Sequence, residues 1–228
     1  RHSHCDTGST IDQELRKPGG EYVRLHLFAV VVRAEVYCFL VEIGKQHSQV
    51  RIDTQTAHFG EEAFRLTLAQ ALPQMARFEW LLEKATEIGI AAFWPMLSQY
   101  STIKSGKYNL SRWQRIVKAA VKQCGRSTLP AIAAPRRFEE ILEAGQHFDR
   151  IWIAHKPVPA GAQQWSYQHA SKTVKPSTGL LLIGPEGGFS EAEIELVTEH
   201  NCTFIDLGIR RLRSETAGLI AANLLLSP

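Results

Sequence analysis

The chain has 228 residues, of which 44% are hydrophobic and 21% charged, which is ordinary for a globular protein and excludes a fibrous or disordered one. Lys and Arg number 26 and Asp and Glu 23, so the net charge of +3 is too small to indicate a polyanionic partner by itself. The four cysteines form no C-x-x-C pair and no run approaches the roughly 18 apolar residues of a membrane span, so we expect a soluble, cytoplasmic protein without a metal.

The first predicted domain comprises residues 1–72 and is rich in strand-forming residues. Val, Tyr, Phe and Leu are frequent in Tyr22–Val32 and Ala34–Ile43, and polar and apolar residues alternate in Gln49–Asp53. Gly44 supplies a turn between the last two segments. This pattern predicts a small antiparallel β-barrel or sheet.

The second predicted domain comprises residues 73–228, where apolar segments of helical and strand length alternate. This alternation indicates an α/β domain with a mainly parallel sheet. The predicted elements are a helix through Phe78 and Ala85 that ends at Gly89, a helix over Ser111–Cys124, and strands over Ile90–Pro95, Ile151–Ala154, Gly179–Ile183 and Thr203–Leu207. Ser190 and Glu193 have the spacing of a capping box, and Ser214 is placed to cap a helix that continues through Leu226.

Two glycine-bearing loops follow consecutive predicted strands. The first is Gly184–Phe189 and the second runs from Leu207 to Ala217. Ligands bind at the carboxyl ends of strands in open α/β sheets, although a tight turn explains the first loop equally well. The first loop has neither the Walker A nor the G-x-G-x-x-G spacing, so it indicates neither a nucleoside triphosphate nor a dinucleotide. The second loop carries three arginines, which are costly together unless an anion or acidic partner compensates them; a solvated turn is the alternative.

The segment between Ile88 and Phe138 contains no Asp or Glu. Its nine cations are Lys104, Lys107, Arg112, Arg115, Lys118, Lys122, Arg126, Arg136 and Arg137. Four of them recur every three or four residues and are expected on one helix face: Arg115, Lys118, Lys122 and Arg126. The other face is apolar and comprises Trp113, Ile116, Val117, Ala120, Val121 and Cys124. The basic face predicts a phosphate-binding surface, with a merely solvated face as the alternative.

Five segments resemble, in order, the small-subunit ribosomal RNA methyltransferase E family of the SPOUT class. They are Arg77–Ile90, Pro95 with Ser98–Ser101, Gln123–Arg126 with Leu129–Pro130, Ile183–Ser190, and Leu207–Ala217. The resemblance implies a C-terminal domain with a deep trefoil knot that holds S-adenosylmethionine, and an N-terminal RNA-binding domain of PUA-like β-barrel type. It also implies a homodimer whose interface borders the pocket. The implied reaction is methylation of N3 of one uridine in 16S ribosomal RNA, within the assembled small subunit.

The resemblance also implies which residues form the site. The expected cofactor-binding residues are Ile183, Gly184, Pro185, Glu186, Gly187, Gly188, Leu207, Gly208, Leu212, Thr216 and Ala217. Arg213 is the leading catalytic candidate, because an arginine stabilises negative charge on the uracil carbonyls and keeps its own proton. Arg126 is the second, and Glu215 or Glu186 is a candidate proton acceptor, with capping or ion pairing at a helix start as the alternative. The expected RNA-binding residues are Arg16, Arg112, Arg115, Lys118, Lys122 and Arg126.

Three positions in the matched segments depart from the family's pattern. Ile209 and Arg211 stand where the family has proline and isoleucine, and Tyr100 stands where it has arginine. The N-terminal half matches only loosely, around Leu15–Gly19, so either the barrel is shortened or RNA recognition differs. Two alternatives therefore stay open: a SPOUT methyltransferase that acts on another RNA site, and a non-catalytic RNA-binding relative.

Overall fold

The computed structural model describes residues 24–29, 34–43, 48–101, 108–165 and 177–227, with side chains from residue 56 onward. The chain divides into two compact units. The smaller contains Arg1–Glu61 and Gly125–Thr128, and the larger contains Glu62–Cys124 and Leu129–Pro228. Arg16, one of the predicted RNA-binding residues, lies outside the described residues.

The smaller unit contains an antiparallel sheet of three strands in the order β1-β2-β3. The strands are β1 (Arg24–Ala29), β2 (Ala34–Ile43) and β3 (Ser48–Ala57). The antiparallel strands expected from the sequence are confirmed, and β2 has the predicted bounds. The prediction for β3 is too short, because composition fixes the ends of a strand poorly, and both ends of the predicted segment Tyr22–Val32 lie outside the described residues.

The larger unit is an α/β domain around a parallel sheet, as the sequence predicts. Its strands are β4 (Arg65–Ala71), β5 (Ala92–Leu97), β6 (Ala131–Ile132), β7 (Arg136–Arg137), β8 (Arg150–Ala154), β9 (Thr178–Ile183) and β10 (Thr203–Ile205). Their order is β10-β8-β9-β4-β5-β6, β7 also pairs with β5, and the pairings are parallel. The helices are α1 (Met75–Glu87), α2 (Leu110–Cys124), α3 (Phe138–Gly145), α4 (Glu191–Glu199) and α5 (Ser214–Leu226).

The position of β4 corrects the predicted domain boundary. Arg65–Ala71 falls within the segment that the sequence pattern assigns to the N-terminal domain, residues 1–72. In the structure β4 lies between β9 and β5 in the parallel sheet, and the larger unit begins at Glu62. No strand is predicted over Arg65–Ala71, and composition does not show which sheet a segment joins, so the predicted boundary is about one strand too late.

The centre of this sheet is buried on both faces. In β9, Leu180 and Leu182 pack in a cluster with side chains of α3 and α4, such as Ile141 and Val197. Leu181 points to the opposite face, because successive strand residues alternate, and there α5 packs against β4 and β9. Each such buried leucine stabilises the fold by about 1.5–3 kcal/mol. The sheet is therefore a rigid base for the loops at its carboxyl edge. No helix among the described residues is long and apolar enough to cross a membrane.

The helix ends test three local predictions. Gly89 follows α1 with a φ of 107°, a left-handed conformation that suits glycine, and Ser190 caps α4 by accepting a hydrogen bond from the backbone N–H of Glu193. Both predictions are confirmed. The prediction that Ser214 caps α5 is wrong: Arg213 is the N-cap residue, without a side-chain bond, and Ser214 is the first helical residue. The Ser214 hydroxyl binds buried groups from other elements instead, and these are not visible in the local sequence.

Candidate active site

A cleft of about 440 Å³ opens at the carboxyl ends of three neighbouring strands. Its walls are Ala154–Lys156 at the end of β8, Ile183–Phe189 at the end of β9, and Ile205–Leu212 at the end of β10, with Ser214 and Ala217 from α5. The strands β10, β8 and β9 are adjacent and parallel, so their carboxyl ends meet at one edge. This is the edge at which open α/β sheets bind ligands.

The two loops singled out in the sequence form most of this cleft. The predicted cofactor residues that line it are Ile183, Gly184, Pro185, Glu186, Gly187, Gly188, Leu207, Gly208, Leu212 and Ala217. Thr216 is the exception: it is half-buried on α5 and does not line the cleft. The geometry thus brings the two loops together, and their part in binding a cofactor stays a prediction.

Two glycines of the cleft have left-handed backbones and open space beside them. Gly188 has a φ of 79° and Gly208 a φ of 98°, and a Cβ added at either would meet no atom within 4 Å. Glycine adopts such angles without steric cost, and a bare backbone lets a ligand approach closely. At Gly184 the reason for glycine differs, because a Cβ there would lie 3.0 Å from the ring of Phe189.

Hydrogen bonds join the second loop and α5 to the first loop. The Ser214 Oγ donates to the carbonyl oxygen of Gly184 at 2.7 Å and accepts from the Nε2 of Gln70 in β4 at 2.6 Å. The Arg211 Nη2 donates to the carbonyl oxygen of Glu186 at 2.7 Å. Arg211 is one of the departures from the family pattern, and in this chain it holds the first loop.

A second departure also meets the first loop. A Cβ added at Gly187 would lie 3.0 Å from the Cβ of Tyr100, so the tyrosine packs directly against this glycine. Any larger residue at position 187 would have to displace Tyr100 or the loop. Tyr100 is itself half-exposed, which leaves its ring accessible.

The two candidate proton acceptors are linked by one arginine. Arg77 of α1 places its Nη1 3.2 Å from the Oε1 of Glu186 and its Nε 3.8 Å from the Oε1 of Glu215. Glu186 lines the cleft and Glu215 does not. Glu215 is only 5% exposed, and its Oε2 is buried without a hydrogen-bond partner among the described residues. Of the two candidate proton acceptors, Glu186 is therefore the one that lines the cleft.

The predicted catalytic arginines occupy different surroundings. Arg213 is exposed at the start of α5 and does not line the cleft, whereas Arg210 and Arg211 do. Arg126 belongs to the smaller unit and is 4% exposed, and its Nη2 lies 2.7 Å from the Oε2 of Glu61. The Oε1 of the same carboxylate accepts from the backbone N–H of Thr128 at 2.8 Å. The guanidinium of Arg126 is thus engaged in a buried ion pair.

Two cations of the basic segment are compensated in space by acids from other parts of the chain. Arg112 bonds Glu79 through two nitrogens, at 2.5 and 2.8 Å, and Arg126 bonds Glu61. Helix α2 ends at Cys124, so the predicted four-residue basic face is wrong at Arg126, which is buried beyond the helix. The exposed basic residues of the predicted RNA-binding face on α2 are Arg115, Lys118 and Lys122.

The loop after β8 is the part of the cleft that sequence reasoning missed. His155 lies near the rings of Phe189 and Phe204, at centroid distances of 6.4 and 6.3 Å, and burial lowers the pKa of its imidazole. Lys156 and Asp206 form an ion pair on the cleft wall. The strand Ile151–Ala154 is visible in the sequence, but its place between β9 and β10 is not.

Within the described ranges, no group of three or more His, Cys, Asp or Glu side chains is arranged to hold a metal ion.

Comparisons with known proteins identify the family of this fold and site. The RNA methyltransferase domain model matches residues 60–226. Ribosomal RNA small subunit methyltransferase E of Bacillus subtilis is 31% identical over 192 residues, which cover 82% of this chain and 75% of that protein. A methyltransferase from Legionella pneumophila, solved in complex with S-adenosylmethionine, has a TM-score of 0.69 at 28% identity and covers 92% of this chain and 84% of its own. Ribosomal RNA small subunit methyltransferase E from Neisseria gonorrhoeae, bound to the same molecule, has a TM-score of 0.64 at 26% identity, with 89% and 81% covered. The chain therefore belongs to the family of RNA methyltransferases that includes ribosomal RNA small subunit methyltransferase E.

Proposed function

We propose that this RNA methyltransferase uses S-adenosylmethionine to methylate N3 of a specific uridine in 16S ribosomal RNA, within the assembled small subunit. The observation that carries the proposal is the cleft at the carboxyl ends of β9 and β10, built from the loops that match the family's segments. The names of the relatives support a ribosomal RNA substrate, and two structural neighbours were solved with S-adenosylmethionine.

The residues of the cleft fit a nucleoside-sized cofactor. A volume of about 440 Å³ lies in the range of ligand pockets, and apolar walls at Ile183 and Leu212 suit the faces of an adenine ring. The open space beside Gly188 and Gly208 leaves backbone groups free for the ribose and adenine. Ala217 lines the cleft where the methionine end is expected, with Thr216 beside it in the chain. When bound, S-adenosylmethionine supplies an electrophilic methyl group.

The chain's own residues must prepare the acceptor nitrogen. Uridine N3 has to lose a proton, and the negative charge then spreads onto the uracil carbonyls. Arg213, exposed next to the cleft residue Leu212, is the leading candidate to stabilise that charge. Glu186 is better placed than Glu215 to accept or relay the proton, since it lines the cleft whereas Glu215 is buried away from it.

Binding of RNA is assigned to the basic face of α2 and to the N-terminal unit. Arg115, Lys118 and Lys122 are exposed on successive turns of α2 and can contact phosphates. The antiparallel strands β1–β3 are compatible with the proposed PUA-like barrel. RNA affinity should decrease with salt concentration, and this dependence should become weaker when these cations are removed. That result would support the assignment.

The proposal includes a deep trefoil knot in the larger unit and a homodimer whose interface borders the cleft. Helices α1 and α5 pack together and each carries an exposed large apolar side chain, Trp80 and Ile220. Exposed aromatic and aliphatic groups of this kind are typical of protein interfaces. Sedimentation of the full chain tests the dimer, and the variant Trp80→Glu is expected to shift it towards the monomer.

The decisive experiment on the catalytic part is a comparison of the wild-type chain with Arg213→Ala. Calorimetric titration with S-adenosylmethionine comes first, because a chain that does not bind it would be the non-catalytic RNA-binding relative. At saturating cofactor, Arg213→Ala is expected to lose methyl transfer while it keeps the cofactor affinity. Full methyl transfer by this variant would rule out Arg213 as the catalytic residue.

A further inference from the structure

Lys156 and Asp206 form an ion pair on the wall of the cleft that the proposed reaction does not use. The Nζ of Lys156 lies 3.3 Å from the Oδ2 of Asp206 and donates to the carbonyl oxygen of Gly208 at 3.2 Å. The Oδ1 of Asp206 accepts from the backbone N–H of Gly208 at 2.8 Å. The three residues come from the ends of β8 and β10, and all of them line the cleft.

These contacts fix the carboxylate without covering it. Asp206 is held from both sides, by a backbone N–H on Oδ1 and by an ammonium on Oδ2. A carboxylate has about four acceptor positions, so two such contacts leave it able to accept further hydrogen bonds. Its side chain is still 28% exposed, and Asp206 is one of the residues that line the cleft. Asp206 is therefore an oriented acceptor with spare capacity.

The chemistry of the pair selects among the groups that a nucleoside cofactor carries. A vicinal diol is neutral, and its hydroxyls can donate to the carboxylate of Asp206 while they accept from the ammonium of Lys156. The ammonium of an amino acid would have to approach Asp206 against the like charge of Lys156, and a carboxylate would meet the like charge of Asp206. An acidic side chain near the end of a parallel strand is also a known partner of ribose hydroxyls in dinucleotide sites.

We propose that Asp206, oriented by Lys156 and Gly208, accepts hydrogen bonds from the ribose hydroxyls of the cofactor. This inference rests on the proposed function, because it takes the cleft to be the site of S-adenosylmethionine. It assigns a binding role to two side chains outside the glycine-bearing loops. It also explains why a charged pair is kept on the wall of a cleft in which either charge alone would be costly to desolvate.

The test is calorimetric titration with two probes that share the ribose diol. S-adenosylhomocysteine carries the amino-acid end, and 5′-methylthioadenosine lacks it. Asp206→Asn keeps the acceptor for the N–H of Gly208 but removes the charge. It is expected to lower the affinity for both probes by the same factor, about tenfold to a hundredfold. Lys156→Gln is also expected to lower the affinity for both probes by one common factor, which is smaller than the factor for Asp206→Asn. Glu139→Gln removes a carboxylate that is exposed on α3, outside the cleft, and serves as the matched control.

The outcomes separate this inference from the proposed function. If the wild-type chain binds neither probe, the proposed cofactor site itself is wrong. If the wild-type chain binds and Asp206→Asn binds both probes as tightly as Glu139→Gln, only the role of Asp206 is overturned. A loss confined to S-adenosylhomocysteine would also overturn it, because Asp206 would then contact the amino-acid end. Thermal unfolding of each variant shows whether a loss of affinity reflects a loss of folding.

Discussion

The hydroxyl of Ser214 donates a 2.7 Å hydrogen bond to the carbonyl oxygen of Gly184, and so joins the C-terminal helix to the first loop of the cleft. The same hydroxyl accepts a 2.6 Å hydrogen bond from Gln70 in the central strand β4. Ser214→Ala is expected to lower the free energy of unfolding by about 1–3 kcal/mol, because it leaves buried polar groups without their partner. It should also weaken the binding of S-adenosylmethionine, since the first loop loses the hydrogen bond that joins it to α5.

Denaturant unfolding and calorimetry measure the two effects of Ser214→Ala. The control is Ser111→Ala, which removes an exposed hydroxyl from α2 and should leave both quantities unchanged. Equal stability of the Ser214 and Ser111 variants would show that the hydroxyl of Ser214 contributes nothing to the fold.

Gly208 and Gly161 form a matched pair for testing the open space in the cleft. Both have left-handed backbones, with φ of 98° and 78°, and a Cβ at either meets no atom within 4 Å. Alanine at either position is therefore expected to cost about 1–2 kcal/mol of stability from backbone strain alone. Gly208 lines the cleft and Gly161 does not. Only Gly208→Ala should therefore lower the affinity for S-adenosylmethionine that calorimetry measures. Equal affinities of the two variants would place the cofactor away from Gly208.

The buried ion pair of Arg126 and Glu61 separates a structural role of Arg126 from a catalytic one. Removal of one partner leaves the other charge buried, so Glu61→Gln and Arg126→Gln are each expected to lower the free energy of unfolding by about 3–5 kcal/mol. The double variant should lose less than the sum of the two. Arg115→Gln removes an exposed cation and is the control.

Methyl transfer by these variants completes the comparison. If the role of Arg126 is structural, the loss of methyl transfer in Glu61→Gln and Arg126→Gln should be proportional to their loss of stability. A stable Glu61→Gln beside an inactive but folded Arg126→Gln would instead support the predicted catalytic role of Arg126.

Protonation of His155 is expected to make the fold weaker in mild acid. Burial lowers the pKa of its imidazole below the ordinary value of 6.5, so around that pH the unfolded chain binds a proton that the folded chain does not. Stability from this group is complete above 6.5 and falls as the pH falls below it. Denaturant unfolding between about pH 7.5 and about pH 5.5 should show this loss, and His155→Gln should reduce it. An identical pH dependence in the two chains would contradict the assignment.

The parts of the site that lie next to each other in the chain could be predicted from the sequence, and the parts assembled by sheet order could not. The loops after β9 and β10 are visible because a buried strand runs into glycines and then a helix. Lys156 and His155 follow β8, whose place between those strands is a tertiary fact. The environment of Ser214 is of the same kind, because local spacing suggests a cap whereas its partners lie 30 and 144 positions away.

Charge patterns were informative only in part, for a related reason. The absence of acids between Ile88 and Phe138 suggests a free basic surface, but Glu79 and Glu61 reach Arg112 and Arg126 from outside that segment. Proximity in space, which decides whether a cation is compensated, is not encoded in a window of sequence. The exposed positions on α2 keep the prediction of an RNA surface for that helix alone.

The most direct test of the proposed function is methyl transfer from labelled S-adenosylmethionine to small-subunit particles and to naked transfer RNA, with the product mapped by mass spectrometry of nucleosides. The proposal predicts a single 3-methyluridine in 16S ribosomal RNA of the particles and no label in transfer RNA. Label in transfer RNA, or at another ribosomal position, would contradict the proposed substrate. No label in any RNA, from a chain that binds the cofactor, would contradict the proposed reaction.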